Sequence, residues 1–449
     1  MYFEEYMATS SLSPLNMDIS KGFLPLRWIY VDFNSYFASV EQQERPELRH
    51  RPIAVVPVMT DATCAIAASY EAKAFGIKTG TPIFEARKLC PGLICVPARH
   101  DVYVDYHHRI LEEIDRHLPV DYVGSIDEMA CRLMNNEMEP EATLKLACSI
   151  KAGLRQRIGE HVRCSIGIAP NRYLAKVATE MQKPDGLVLL QGDTIPEKLF
   201  RLKLRDLPGI GANMELRLRR AGIYSMEDLW HLPRDRMRRL WNNVAGERMW
   251  YSLRGMELPD EPTQRRTVGH SHVMAPDYRP HPQARLVARR LMVKAASRLR
   301  RIGYCASKLT FSARVENGPR WAGEAHCTRA QDNFTFLHLF ELLWQQMMAD
   351  MSREGFTSAQ GLVRLKKVSV VLHGLTPEDN PQGELFDSGL FSSAQQREKR
   401  EKVSRAMDAL NRRFGRDTVS LGITPQRVQP FSGTKIAFSR IPDRAEFQE

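Results

Sequence analysis

The chain has 449 residues, 43% hydrophobic, and carries 64 Lys+Arg against 53 Asp+Glu, a net charge of +11 with a pI near 9.3. That length suggests about three domains, and the positive excess favours a polyanionic partner. No apolar run approaches the roughly 18 residues of a membrane span, and the eight cysteines (64, 90, 95, 131, 148, 164, 305 and 327) include no Cys-x-x-Cys pair, which argues against a zinc site or disulfide frame and for reduced thiols in the cytoplasm.

Residues 1–26 hold Glu4 and Glu5 where an export signal needs positive charge, so a disordered, unexported extension is expected. Trp28 to Val31 is short, apolar and β-prone, a buried strand that delivers Asp32 at its end. Asn34 or Ser35 can cap the next helix, where Tyr36, Phe37 and Val40 share a face. Pro52 to Val58 reads as another strand, and Thr63 to Ile77 as a turn of small residues entering a helix on which Tyr70 and Lys73, three apart, face the same way. Tyr103 to His117 and Glu141 to Ile158 have helical periodicity, Val162 to Ile168 is strand-like, and Asn171 to Met181 is a further helix before Lys183 and the turn Pro184-Asp185-Gly186. With these helices backing a sheet, a mixed α/β layer is expected.

Between the first two of those helices lies the acid pair Asp127-Glu128, in a strand-like stretch from Val120 to Leu133. On a regular strand neighbouring side chains point to opposite faces. Both carboxylates reach one cation only where the backbone is irregular or the strand ends, and Gly124 permits such a bend. Hard divalent ions take oxygen ligands, and with Asp32 this makes three carboxylates, enough for a two-metal phosphoryl-transfer site.

Further on, Leu207-Pro208-Gly209-Ile210-Gly211 before a helix from Asn213 to Arg220 is a helix-hairpin-helix signal. Its two glycines, Gly209 and Gly211, let backbone N–H groups face a DNA phosphate, with Arg217, Arg219 and Arg220 adding charge. Glu257 to Gln264 reads as a tether. From Arg265 to Val371 there are 18 Lys/Arg and 7 Asp/Glu, an excess equal to that of the whole chain and the footprint of a nucleic-acid binder. There Arg265 to Ser271 and Lys308 to Arg314 alternate as strands, Ala284 to Arg301 and Phe334 to Met351 are helical, and Leu362 to Leu372 is a basic strand whose Arg364, Lys366 and Lys367 are candidate phosphate contacts. Gln395 to Phe414 is helical, with no function legible in it.

Four motifs in order and spacing, Tyr30-Val31-Asp32-Phe33-Asn34-Ser35-Tyr36-Phe37, Ala68-Ser69-Tyr70-Glu71-Ala72-Lys73, Ser125-Ile126-Asp127-Glu128, and Ser165-Ile166-Gly167-Ile168-Ala169-Pro170-Asn171 with Lys183-Pro184-Asp185-Gly186, resemble the Y family of translesion DNA polymerases. The resemblance runs from about Trp28 to about Gly374. It implies a multidomain α/β, right-hand-like polymerase: palm at 27–35 and 99–190, fingers at 36–98, helix-hairpin-helix thumb at 191–256, linker at 257–264, an α/β little finger that binds DNA at 265–375, and a tail at 376–449.

The same resemblance implies low-fidelity, template-directed primer extension past damaged bases. Asp32, Asp127, Glu128 and the carbonyl of Phe33 would hold two Mg²⁺ ions, Tyr70, Lys73 and Lys183 would bind the deoxynucleoside triphosphate, and Phe37 would be a steric gate against ribose. Lys73 stands where the family more often has Arg, which has a bidentate fork that Lys lacks, and Ala67 where a hydroxyl residue is frequent. Gln382, Leu385 and Phe386 of the stretch Gln382-Gly383-Glu384-Leu385-Phe386 resemble the peptide that docks bacterial polymerases on the sliding clamp. Its position departs from bacterial DNA polymerase IV, where it commonly ends the chain, and resembles that in the catalytic subunit of polymerase V, so the subgroup stays open. A cytoplasmic monomer on primer-template DNA is expected. Two rival readings, a polymerase-like adaptor and a metal-dependent nuclease, account for fewer of these residues.

Overall fold

Side chains alternate across a strand, and in the stretch around Trp28 both faces are apolar: Ile29, Val31 and Phe33 enter one buried cluster, Trp28 and Tyr30 another. A strand buried on both faces belongs in the middle of a sheet. The computed structural model describes residues 24–260, 264–356, 362–379, 394–415, 418–422, 436, 441 and 442. It divides into two units, Met1–Asp260 with Ser432–Phe447, and Glu261–Phe431 with Gln448–Glu449.

The strands of the first unit are β1 (Trp28–Phe33), β2 (Ile53–Val56), β3 (Ala67–Ala68), β4 (Ile94–Pro97), β5 (Val120–Ser125), β6 (Glu128–Arg132), β7 (Cys164–Ala169) and β8 (Leu187–Leu189). A five-stranded sheet runs β5-β6-β1-β7-β8, with β1 central and antiparallel to both neighbours. Helices His100–Asp115 and Pro140–Arg157 bury Tyr103, Ile110, Ile114, Ile150 and Leu154 with one face of it. Helix Arg172–Met181 lays Leu174, Ala175, Val177 and Ala178 against the other, with Trp28 and Tyr30. Asp32 follows the period of Trp28 and Tyr30, so it points to the face that carries the Arg172–Met181 helix. A second sheet, β3-β2-β4, has its own small core of Ala54, Val56, Ala65, Ala68, Ala72, Ile77 and Ile83. Between residues 197 and 253 short helices are joined by turns, with Leu199, Leu218, Leu229, Met237 and Leu253 buried.

The second unit is a four-stranded antiparallel sheet, β11-β10-β12-β9, built from β9 (Thr267–Val273), β10 (Tyr304–Val315), β11 (Arg320–Ala330) and β12 (Leu365–Pro377). Helices His281–Arg301 and Asn333–Arg353 cover one face, where Phe311 meets Phe340 edge-on at 5.1 Å between ring centroids and Trp344 at 5.6 Å. Helix Ala394–Phe414 docks on this unit: Asp408 accepts a bidentate pair of bonds from the buried Arg300, at 2.7 and 2.9 Å, and Ser404 accepts from the backbone N–H of Asn333.

Five expectations change. Neither Asn34 nor Ser35 caps helix Tyr36–Glu44: Ser35 sits at the N-cap with φ 50 and makes no cap bond, while the Asn34 amide is engaged with Ser165 and Asp185 across the sheet. The helix after the small-residue turn is only Tyr70–Lys73, since Gly76 at φ +83 follows it closely. The start of the expected tether is pinned: Glu257 accepts from the Trp28 indole at 2.6 Å, and Asp260 pairs with Arg172. Strand β11 has no counterpart among the expected strands, and Leu26, expected in the extension, is buried in the core. Among the described residues no helix is long and apolar enough to cross a membrane.

Candidate active site and nucleic-acid interface

Antiparallel pairing sets Asp32 directly opposite Glu128, and residues opposite one another project to the same face. Asp127 is not on the strand. Ile126 and Asp127 form the two-residue turn between Ser125 and Glu128, which pair across it, and a register irregularity at Gly124 precedes the turn. The opposition of faces expected for neighbours on a regular strand therefore does not apply. Gly124 is also needed for close approach, because a Cβ there would stand 2.9 Å from the Tyr30 hydroxyl, which donates to Glu128 Oε2 at 2.9 Å. Asp127 accepts from Ser125 Oγ at 2.6 Å, and its carbonyl accepts from the Phe33 N–H at 2.9 Å. Behind the turn the buried His107 donates from Nδ1 to the Ile126 carbonyl at 2.8 Å.

Two lysines meet these acids. Lys183 Nζ donates to Asp32 Oδ1 at 2.7 Å and to Glu180 Oε1 at 2.6 Å, and Lys176 donates to Glu128 Oε2. Burial pushes the Asp32 carboxyl up to about 7, against the opposing pull of Lys183, and burial likewise raises Asp127. Burial would lower the Lys183 ammonium, but Asp32 and Glu180 outweigh it and hold it above its ordinary value. Lys183 and Lys176 take up oxygens of Asp32 and Glu128, and among the described residues no three Asp, Glu, His or Cys side chains are clustered as metal ligands.

Lys176 was not singled out in the sequence. The signal for it was the stripe Arg172, Lys176, Glu180 at i, i+4 spacing, which presents one row of a helix; these residues pair with Asp260, Glu128 and Lys183 in turn.

Tyr70 and Lys73 do share a face, with Lys73 Nζ 4.4 Å from the Tyr70 ring centroid. Burial lowers the Lys73 ammonium, as does Lys183, which is near enough to repel it, and the Tyr70 hydroxyl senses Lys183 and Asp32. Both residues thus lie within electrostatic range of the Asp32–Lys183 pair. Phe37 is half-buried, stacked on Tyr103 at 4.4 Å with 14° between planes.

In the helical segment Gly209 has φ +92, open to glycine and strained for other residues, while Gly211 is extended at the N-cap of helix Ala212–Arg220. A Cβ on Gly211 would meet nothing within 4 Å, so this approach to the helix is open.

In the second unit a register shift between Arg314 and Val315 opposite Lys367 and Leu365 leaves Lys366 as an extra residue, so Lys366 and Lys367 are both exposed. Arg364 differs from them: its guanidinium donates to Glu316 Oε2 at 2.6 Å, and Arg279 binds the same carboxylate. Arg320, Arg314 and Lys367 lie directly opposite one another on β11, β10 and β12, all exposed. Like charges paired across strands are destabilising. Arg314 and Arg320 were missed because only the strand register brings them beside Lys367. Gln382, Leu385 and Phe386 lie outside the described residues.

Residues 31–180 match the model of the impB/mucB/samB family, and residues 265–385 that of the impB/mucB/samB family C-terminal domain. The chain is 33% identical over 410 residues to DNA polymerase IV of Moorella thermoacetica, covering 88% of this chain and 94% of that one, and 27% identical over 403 residues to DNA polymerase IV 1 of Bacillus subtilis, covering 88% and 92%. Its fold is similar to that of a solved Y-family DNA polymerase chimera of Dbh and Dpo4, with a TM-score of 0.65, 23% identity, and 78% and 99% of the two chains covered. An insertion ternary complex of Dbh DNA polymerase matches with a TM-score of 0.50, 23% identity, and 77% and 98% covered.

Proposed function

Because the chain belongs to the Y family of DNA polymerases, with the impB/mucB/samB proteins and the DNA polymerase IV enzymes, we propose that it extends primers past damaged template bases, at low fidelity, by two-metal-ion nucleotidyl transfer. It is a DNA-directed DNA polymerase, and primer-template DNA and deoxynucleoside triphosphates are its substrates. The observation that carries the mechanistic part is the register of β1 on β6, which sets Asp32 opposite Glu128 beside the turn holding Asp127.

The donor set fits magnesium: carboxylate oxygens of Asp32, Asp127 and Glu128 with the Phe33 carbonyl, all hard ligands and no thiol or imidazole. Bound there, Mg²⁺ would lower the pKa of the primer hydroxyl and stabilise the leaving pyrophosphate. The chain's own groups do the rest. Lys183, Lys73 and the Tyr70 hydroxyl orient the triphosphate and offset its charge. Phe37, braced on Tyr103, excludes a ribose 2′-OH. Tyr30 and Lys176 hold Glu128 in place.

In this reading residues 27–35 and 99–190 are the palm, 36–98 the fingers, 191–256 the thumb and 265–375 the little finger. The Gly209–Gly211 turn contacts duplex phosphates, and the row Arg320, Arg314, Lys367 accounts for its like charges by meeting a DNA backbone. Arg364 plays a lesser part there. The segment Gln382–Phe386 docks on a sliding clamp, and the enzyme is a cytoplasmic monomer.

Primer extension with Mg²⁺ and all four deoxynucleotides, on intact and lesion-bearing templates, tests this against Asp127→Ala/Glu128→Ala. Extension past the lesion, abolished in the double variant, is expected. Primer shortening, or DNA binding with no extension, would overturn it.

A further inference from the structure

The turn at residues 182–186, which carries Lys183 to Asp32, is held from behind by a second lysine. Lys151, on helix Pro140–Arg157, donates from Nζ to the carbonyls of Asp185 at 2.6 Å, Cys164 at 3.1 Å and Gly186 at 3.2 Å, and pairs with Asp185 Oδ1 at 2.7 Å. Its side chain is only 18% exposed, whereas an ordinary surface lysine keeps its ammonium in water. From the other side the Asp185 N–H donates to Asn34 Oδ1 at 2.8 Å, Asn34 Nδ2 donates to Ser165 Oγ at 3.1 Å, and Ser165 Oγ accepts from the Gly186 N–H and donates to the Gln182 carbonyl, each at 3.3 Å.

The turn needs this support. Asp185 has φ +57, a left-handed conformation that a residue with a side chain adopts at an energetic cost, and a Cβ at Gly186 would stand 1.8 Å from the Gln182 carbonyl oxygen. Such backbones persist where their surroundings over-determine them, and they concentrate at functional sites. Lys151 spans from the helix layer to both strand β7 and the turn, so it fixes the turn's height above the sheet on which Asp32 lies.

We infer that Lys151 is a positioning residue for nucleotide binding: it acts through the 182–186 turn to set where the Lys183 ammonium stands relative to Asp32. This rests on the assignment of Lys183 to the triphosphate. Misplacing a charged group by about an ångström is enough to weaken its contact by an order of magnitude or more.

The test is steady-state primer extension by the full chain, with primer-template affinity and thermal melting measured alongside, for Lys151→Met, Lys151→Arg, Lys183→Ala and Lys151→Met/Lys183→Ala, each assayed well below its melting temperature. Lys151→Met is expected to raise KM for the incoming deoxynucleotide about tenfold, leaving kcat and DNA affinity within about threefold. Lys151→Arg recovers most of the loss. The double variant is no worse than Lys183→Ala, because a residue acting through another has nothing to add once that other is gone. A KM unchanged in Lys151→Met while Lys183→Ala raises it, or losses that multiply in the double variant, would overturn the inference and leave the assignment of Lys183 standing. If Lys183→Ala itself leaves KM unchanged, the assignment fails instead.

Discussion

At the scale of single residues, burial decides how the centre behaves. His107 is 2% exposed, and burial lowers its imidazole to about 4 from an ordinary 6.5, although its bond to the Ile126 carbonyl favours the proton. The folded state therefore takes up this proton less readily than the unfolded chain, so the stabilisation is complete above pH 6.5 and is lost as pH falls toward 4. The loss is on the order of 3 kcal/mol across that window. Urea unfolding at a series of pH values between 7 and 4 checks it, and His107→Asn, which keeps a donor for Ile126, flattens the dependence there. Phe37→Ala makes a different prediction. Losing the stack on Tyr103 costs about 1 kcal/mol, while discrimination against ribonucleotides falls about a hundredfold, measured as the ratio of kcat/KM for the two sugars.

Elements add what single residues do not contain. Strand β1 was legible as a short continuous run of apolar, β-prone residues and helix Arg172–Met181 by its apolar periodicity, and Asp32 at the strand's end followed. The contacts of Lys176 and Lys151 were not, because their partners come from elements 48 and 13 to 35 residues away. Strand β11 escaped because its side chains alternate between exposed and half-buried, with small residues at Ala322, Gly323 and Ala325. Helix Ala394–Phe414 was legible as a helix, yet its sequence does not reveal that Asp408 meets Arg300, whose side chain is 4% exposed. Removing one partner of a buried pair strands the other charge, so Asp408→Ala is expected to destabilise the second unit by about 3–5 kcal/mol, whereas replacing both members with apolar residues of similar size restores most of it. Calorimetric melting of the three proteins separates these outcomes.

For the whole molecule the charge excess becomes a measurable quantity. Each cation that neutralises a DNA phosphate releases counterions, so the logarithm of the binding constant falls with the logarithm of salt concentration, by about 0.9 per contact. Composition alone assigns the same weight to every basic residue between Arg265 and Val371, but the structure sorts them. Arg364 spends its guanidinium on Glu316, shared with Arg279. Among the described residues no acid pairs with Arg314 or Lys367, which face each other across β10 and β12 with Arg320 beside them. Arg314→Ala and Lys367→Ala are each expected to reduce the salt slope of primer-template binding by about 1, whereas Arg364→Ala changes it by much less. The like-charge row also predicts opposite effects on folding and on binding: either of the first two variants relieves repulsion and leaves the free protein as stable or slightly more so, while DNA affinity falls. Fluorescence anisotropy from 50 to 300 mM salt, with melting of the free protein alongside, checks both halves. A slope that changes equally for Arg364 and Lys367 would mean that DNA draws Arg364 away from Glu316.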